Sequence, residues 1–132
     1  MNCLLDTHTF LWAAFEPKRL SRTAHQAIVD PQNDVSVSVV SFWEISLKFA
    51  LGKLELKGVS PDELPDTASR MGFDLLELHA EDAASFHRLP RGNHKDPFDR
   101  MLAYQAIRRH QTLVSTDPDL AQYVPNGLNL LW

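Results

Sequence analysis

The sequence predicts a three-layer α/β/α sandwich built on a mostly parallel central sheet of about five strands. Short apolar segments of strand character alternate along the chain with helical segments, an order that implies parallel pairing through right-handed crossovers. No internal repeat, low-complexity tract or long linker interrupts the 132 residues, so residues 1–132 read as one domain able to bury a core without disulfides or structural metal. Hydrophobic residues make up 44% and charged residues 23%, near globular averages, which argues against a disordered or coiled-coil chain.

Each element has a local reason. Asn2 to Leu5 (NCLL) is a brief buried strand, and Thr7 to Phe15 is an amphipathic helix closed by Pro17. A second helix starts near Ser21 as cap, runs through Ala24, Ala27 and Ile28, and stops at the DPQND turn, Asp30 to Asp34. Val35 to Val40 (VSVSVV) is β-branched and alternating, hence a strand. Helix is predicted from Ser41 to about Leu51, with Gly52 as its stop, and again over Asp62 to Met71. Phe73 to Leu78 reads as the third strand, followed by a short helix from Glu81 to Arg88. The loop LPRGNHKDP leads into a helix from Phe98 to Arg109, then a strand at Thr112 to Ser115, a turn of helix at Pro118 and a last strand in LNLLW.

The single cysteine, Cys3, can form no internal disulfide, which fits a reducing compartment. The N-terminus lacks a basic leader and no apolar run nears the roughly 18 residues a membrane span requires. A soluble cytoplasmic protein is therefore expected, with no membrane partner. The net charge of −4 argues mildly against nucleic acid, since phosphate-holding surfaces carry excess Lys and Arg.

In such a fold the functional edge lies at the carboxyl ends of the strands. Asp6 directly follows the first strand, Glu44 opens the helix after the second, Asp99 stands at the start of the helix before the fourth, and Asp117 follows the fourth. Taken singly, most have an ordinary explanation. Asp6 can cap the helix whose third residue is Thr9. Ser41 and Glu44 fit a capping box, and Glu44 can pair with Lys48 one turn on. Asp117 before Pro118 and Asp96 before Pro97 both read as caps followed by proline. Asp99 resists this reading, because it shares a helical stripe with Leu102, Ala103, Ala106 and Ile107 and so enters the buried side. Glu44 is similarly placed in a helix apolar almost all round, where an unpaired carboxylate is costly.

Carboxylates gathered at a half-buried rim repel one another and tend to protonate unless a cation stays between them. All-oxygen ligation suits Mg²⁺ or Mn²⁺ better than zinc, and no Cys/His spacing makes a zinc site. The six histidines are scattered, and His8 and His94, nearest the rim, read as ordinary polar residues. Magnesium held by carboxylates at a sheet edge commonly acts on phosphates, through an in-line displacement.

The blocks LLDTHTFLW, SFWEISLKFALGKLEL, DPFDRMLAYQA and LVSTDPDL, in this order along nearly the whole chain, resemble a PIN-domain protein of the VapC toxin type. That resemblance implies a PIN-like fold and a Mg²⁺- or Mn²⁺-dependent endoribonuclease, the toxin of a type II toxin–antitoxin pair. Asp6, Glu44 and Asp99 match the family's acidic triad and Asp117 its more variable fourth acid, while Thr7, Ser41 and Thr116 match the hydroxyl residues that accompany them. Asp96 matches the DPFD pattern of a subgroup and is a candidate outer ligand. The resemblance further implies an RNA substrate (tRNA, rRNA or mRNA), a cognate VapB-type antitoxin that wraps the toxin, a homodimer of toxin chains and higher hetero-oligomers with the antitoxin.

Division of labour in the DPFD segment is expected: Asp96 caps the helix and Asp99 carries metal, so Asp99→Asn would remove activity and Asp96→Asn would cost mainly stability. Arg88, Arg91, His94 and Lys95 lie in the loop ahead of the site, with Arg100 just inside the helix, as candidate RNA contacts. Lys48, Lys53 and Lys57 lie in segments able to flank it, so a local basic rim is compatible with an acidic chain. An aspartyl-phosphate phosphatase would need a second Asp two positions after the first, where this chain has His8. A DNA-directed structure-specific nuclease and a non-catalytic binding module remain the alternatives. The first shares the metal logic but needs strand-threading elements, and the second would tolerate loss of the acids.

Overall fold

Cys3 and Leu5 pack with one hydrophobic cluster and Leu4 with another, and all three are fully buried, so the first strand is covered on both faces. That requirement places helices on either side of the sheet. In the computed structural model, which describes residues 1–132, the strands are β1 (Asn2–Leu5), β2 (Asp34–Ser38), β3 (Asp74–Leu76), β4 (Thr112–Val114) and β5 (Asn129–Leu131). They form one sheet in the order β3-β2-β1-β4-β5, and every pairing is parallel. The helices are α1 (Thr7–Phe15), α2 (Arg22–Val29), α3 (Val39–Ala50), α4 (Leu64–Arg70), α5 (Ala80–Ser85) and α6 (Pro97–Arg109). This is the expected α/β/α sandwich with five strands.

One core cluster joins Cys3, Leu5, Val35, Val37 and Val114 to Phe10, Ala24, Ile45 and Leu64. The other joins Leu4 and Leu113 to Leu102, Ala103, Ala106, Leu120 and Tyr123. Each fully buried Leu or Phe contributes about 1.5–3 kcal/mol, so the two faces of β1 and β4 tie both helical layers to the sheet. Burial also pushes the Cys3 thiol up in pKa, which leaves it an unreactive core residue.

Several boundaries differ from the sequence reading. Val39 and Val40 belong to α3, not to the strand, because Ser38 turns its hydroxyl onto the Val40 N–H and caps the helix there. Ser41 is therefore a buried helix residue and no capping box with Glu44 exists. The helix expected over Asp62 to Met71 begins as a 3₁₀ turn, Pro61–Glu63, because Pro65 lacks the N–H that a continuous α-helix would need there. Residues expected as one helix to Arg88 divide into α5 and a 3₁₀ turn, Phe86–Arg88. The third and fourth strands are shorter than expected, and the turn at Pro118 extends as a 3₁₀ segment, Pro118–Asn126. Gly52 does follow α3, at φ +71°, a left-handed conformation that suits glycine.

The far end of α6 is fastened by a buried carboxylate. Asp82 on α5 is only 1% exposed, and Arg108 Nε and Arg109 Nη2 each donate to it at 2.7 Å. Burial alone would raise the Asp82 carboxyl, but the two guanidinium groups outweigh it and hold the group below its ordinary pKa. Asp82→Ala is expected to destabilise the protein by roughly 2–3 kcal/mol, less than a fully buried pair would lose because both arginines are partly hydrated. Urea unfolding at pH 7 checks this; an unchanged midpoint would show that the pairs contribute nothing net.

Candidate metal centre

Strand order reverses between β1 and β4: the chain builds outward from β1 to β2 and β3, then returns to β1's other side for β4 and β5. Crevices at such a switch point, beyond the carboxyl ends of the strands, are where open parallel sheets bind ligands. Asp6 leaves β1 there, Ser115 and Asp117 leave β4 there, and α3 starts beside them from β2.

Local geometry holds most of these acids in place. Asp6 caps α1, its Oδ1 accepting from Thr9 N–H at 2.8 Å, while Ser115 donates its hydroxyl to Oδ2. Burial nevertheless raises the Asp6 carboxyl, with both hydrogen bonds opposing. Glu44 is 1% exposed; Thr7 Oγ1 donates to its Oε1 at 2.5 Å and lies 3.0 Å from Ser41 Oγ, while Lys48 pairs with Oε2. Burial opposes the Lys48 charge, but Glu44, Asp96 and Asp99 together raise its pKa. Asp96 caps α6, its Oδ1 accepting from Phe98 N–H at 2.8 Å and Asp99 N–H at 3.3 Å. Asp117 Oδ1 accepts from Asp119 N–H at 2.9 Å, and its Oδ2 lies 3.1 Å from His94 Nε2.

Asp99 is the exception. Its half-buried carboxylate accepts no hydrogen bond, and His94 Nε2 stands 3.7 Å from Oδ2. Burial, then the charges of Asp96, Glu44 and Asp6, push its pKa up to about 7, against a small opposing effect of His94. Two groups of donor atoms close enough to share a cation meet at this residue: Glu44 with Asp96 and Asp99, and His94 with Asp99 and Asp117, each within 4.8 Å. Asp6 lies outside both groups, although its charge is felt at Asp99. An oxygen donor set containing one carboxylate without a hydrogen-bond donor fits a hard divalent ion.

Other sequence expectations are redistributed. The hydroxyl beside Asp6 is that of Ser115; Thr116 is exposed. The sequence could have indicated Ser115 only if the last ladder residue of β4 were known, since one residue decides which hydroxyl turns inward. His94 is buried, not an exposed basic contact. His8 is exposed beside Trp12. Arg100 is half-buried, with its guanidinium over Phe86 and directed at the Leu89 carbonyl at 3.4 Å. Arg88, Arg91, Lys95, Lys53 and Lys57 are exposed, whereas Lys48 is committed to Glu44. Beside the acids, exposed Trp43 packs edge-on to Phe98 at 4.9 Å. With Val40, Leu78, Phe86, Pro97 and Met101 they line an apolar groove of about 130 Å³.

Residues 3–124 match the PIN domain family. The chain is similar to Ribonuclease VapC22 of Mycobacterium tuberculosis (strain ATCC 25618 / H37Rv), 28% identical over 120 residues that span 91% of this chain and 90% of that relative. Its fold is similar to VapBC2 from Rickettsia felis bound to a DNA fragment from their promoter, with a TM-score of 0.71 at 19% identity, covering 100% of this chain and 99% of the other. It is also similar to DNA-bound VapBC from Salmonella typhimurium, with a TM-score of 0.67 at 15% identity and coverage of 99% and 97%.

Because Asp99 is raised in the folded state, metal-free protein is most favoured where that group is protonated in both states. Stability relative to Asp99→Asn is expected to fall as pH rises from about 4 to about 7, then level off. Thermal unfolding of both proteins in EDTA across this range checks the sign; parallel curves would contradict it. The cap at Asp96 revises the expectation for that residue. Asn caps as well as Asp, so the stability cost of about 1 kcal/mol falls on Asp96→Ala rather than Asp96→Asn. Comparing the two variants by urea unfolding separates cap from charge, and equal losses would contradict the assignment.

Proposed function

The chain belongs to the PIN-domain family, and we propose that it is a Mg²⁺- or Mn²⁺-dependent endoribonuclease, the VapC-type toxin of a type II toxin–antitoxin pair. The observation that carries this reading is Asp99, a carboxylate without a hydrogen-bond donor, facing Glu44 and Asp96 at the switch point of the sheet. The ion would be held by Asp99 with Glu44 and Asp96, with Asp117 on the other side of Asp99 and the charge of Asp6 nearby. When bound, it supplies Lewis-acid polarisation of a phosphoryl oxygen and activation of water.

The chain's own groups do the rest. Thr7 fixes the Glu44 carboxylate and Ser115 that of Asp6, so neither swings when an ion or a phosphate approaches. Lys48 pairs with the Glu44 carboxylate in the buried rim. Arg88, Arg91 and Lys95 are exposed on the segment leading into α6 and attract the RNA backbone to the acids, a local field that the net charge of −4 does not cancel. Hydrolysis of RNA phosphodiester bonds would stop translation and growth, which calls for an inhibitor. The apolar groove at Trp43 and Phe98, residues that adjoin Glu44 and Asp99 in the sequence, suits an amphipathic segment of a VapB-type antitoxin. A homodimer and larger assemblies with the antitoxin complete the reading.

The test is incubation of antitoxin-free protein with a total tRNA and rRNA mixture, and in parallel with DNA, with Mg²⁺ or Mn²⁺ or with EDTA. Discrete metal-dependent RNA cuts are expected, reduced by about a hundredfold or more in folded Asp99→Asn and Asp6→Asn. Preferential cutting of DNA would replace the substrate, and metal-independent cutting would remove the metal from the reading.

A further inference from the structure

His94 departs from an all-oxygen site, and the fold goes to some length to place it. The loop that carries it is pinned to the 3₁₀ segment after β4: Asn93 N–H donates to Gln122 Oε1 at 3.0 Å, and Gln122 Nε2 donates to the Asp119 carbonyl at 2.8 Å. Gly92, at φ +55°, permits the approach, since a Cβ there would stand 1.9 Å from Gln122 Oε1. The His94 ring then lies 6.3 Å from the Tyr123 ring, with the residue only 8% exposed. Its Nε2 faces two carboxylates at once, 3.1 Å from Asp117 Oδ2 and 3.7 Å from Asp99 Oδ2.

A simple hydrogen bond to Asp117 accounts for the first distance but not for the second. Neighbouring donors about a six-coordinate cation with bonds near 2.1 Å stand about 3 Å apart, and slightly further in a four-coordinate one. The 3.1 Å spacing to Asp117 is of that size, and the 3.7 Å spacing to Asp99 lies a few tenths of an ångström beyond it. We infer that His94 Nε2 is a metal ligand. With Asp99 and Asp117 it forms a second cation subsite that shares Asp99 with the Glu44–Asp96–Asp99 subsite and prefers Mn²⁺ to Mg²⁺. The chemistry follows from the donor: an imidazole nitrogen suits first-row transition ions, whereas Mg²⁺ takes oxygen and water. In this role the ring proton resides on Nδ1 and the Nε2 lone pair meets the ion. The inference rests on the proposed metal reading of the rim and adds a nitrogen ligand to it.

The probe is Mn²⁺ itself. Pulsed electron paramagnetic resonance of the Mn²⁺-loaded full chain reports whether a ¹⁴N nucleus is bonded to the ion, and needs no variant. Calorimetric titration of wild type and His94→Gln with Mn²⁺ and with Mg²⁺ then gives the selectivity. A directly bonded ¹⁴N signal is expected in wild type and not in His94→Gln. Mn²⁺ affinity should fall at least about tenfold in the variant, with Mg²⁺ affinity changed by less than about twofold. Ion binding without a ¹⁴N signal, or equal losses for both ions, would overturn the inference while leaving the acidic site intact; His94 would then only orient Asp117. Failure of wild type to bind either ion would overturn the metal reading and this inference together.

Discussion

Mutual repulsion among Glu44, Asp96 and Asp99 is the constraint around which the carboxyl edge of the sheet is organised. Carboxylates brought this close, and partly removed from water, can stay ionised only with donors or cations beside them. The fold supplies those to nearly all the acids of the rim. Asp6 has Ser115 and the first turn of α1, Glu44 has Thr7 and Lys48, Asp96 has the N–H groups of α6, and Asp117 has Asp119 N–H and His94. Asp99 is left over, and burial, with the charges of Asp96, Glu44 and Asp6 added to it, pushes its pKa up to about 7. Stored instability of this kind is what a bound cation would release.

The remainder of the architecture follows from delivering these groups to one point. β1, β2 and β4 are adjacent and parallel, so the chain leaves all three on the same side. α6 runs back against β4 and therefore starts where β4 ends, which brings Asp96 and Asp99 to acids separated from them by dozens of residues. Anchorage of α6 lies away from its first turn. Asp82 grips the arginines at the last turn, and Gln105 ties the middle to β2 through the Ser38 hydroxyl at 2.6 Å. The first turn is thus free to serve the site while the helix is held elsewhere.

Much of this was legible in the sequence because it depends on local pattern. The strand–helix alternation determined the parallel sandwich, and the stripe of Leu102, Ala103 and Ala106 correctly turned Asp99 inward. Pattern failed where a contact across the chain decided the outcome. Val35 to Val40 alternates like a strand throughout, yet Ser38 breaks it to cap α3, and the two valines that follow serve the helix equally well. The inward hydroxyl is Ser115 and not Thr116, a choice set by one residue of register. His94 sits in a loop without periodicity, and its surroundings come from across the chain: Gln122 pins the neighbouring Asn93, and Tyr123 and Asp117 face the ring. Arg100 looked like a free basic group because charge alone does not reveal a neighbouring ring, whereas the i, i+4 spacing did give the pairing of Lys48 with Glu44.

The central claim is that a divalent cation resides among these acids and that Asp99 touches it. Diffraction from crystals grown with Mn²⁺, recorded on both sides of the manganese absorption edge, locates the ion without reference to activity. The account predicts anomalous density within a bond length, about 2.2 Å, of an Asp99 oxygen. Fully occupied crystals with no such density at the rim, or with an ion bound to acids that leave Asp99 aside, would contradict it.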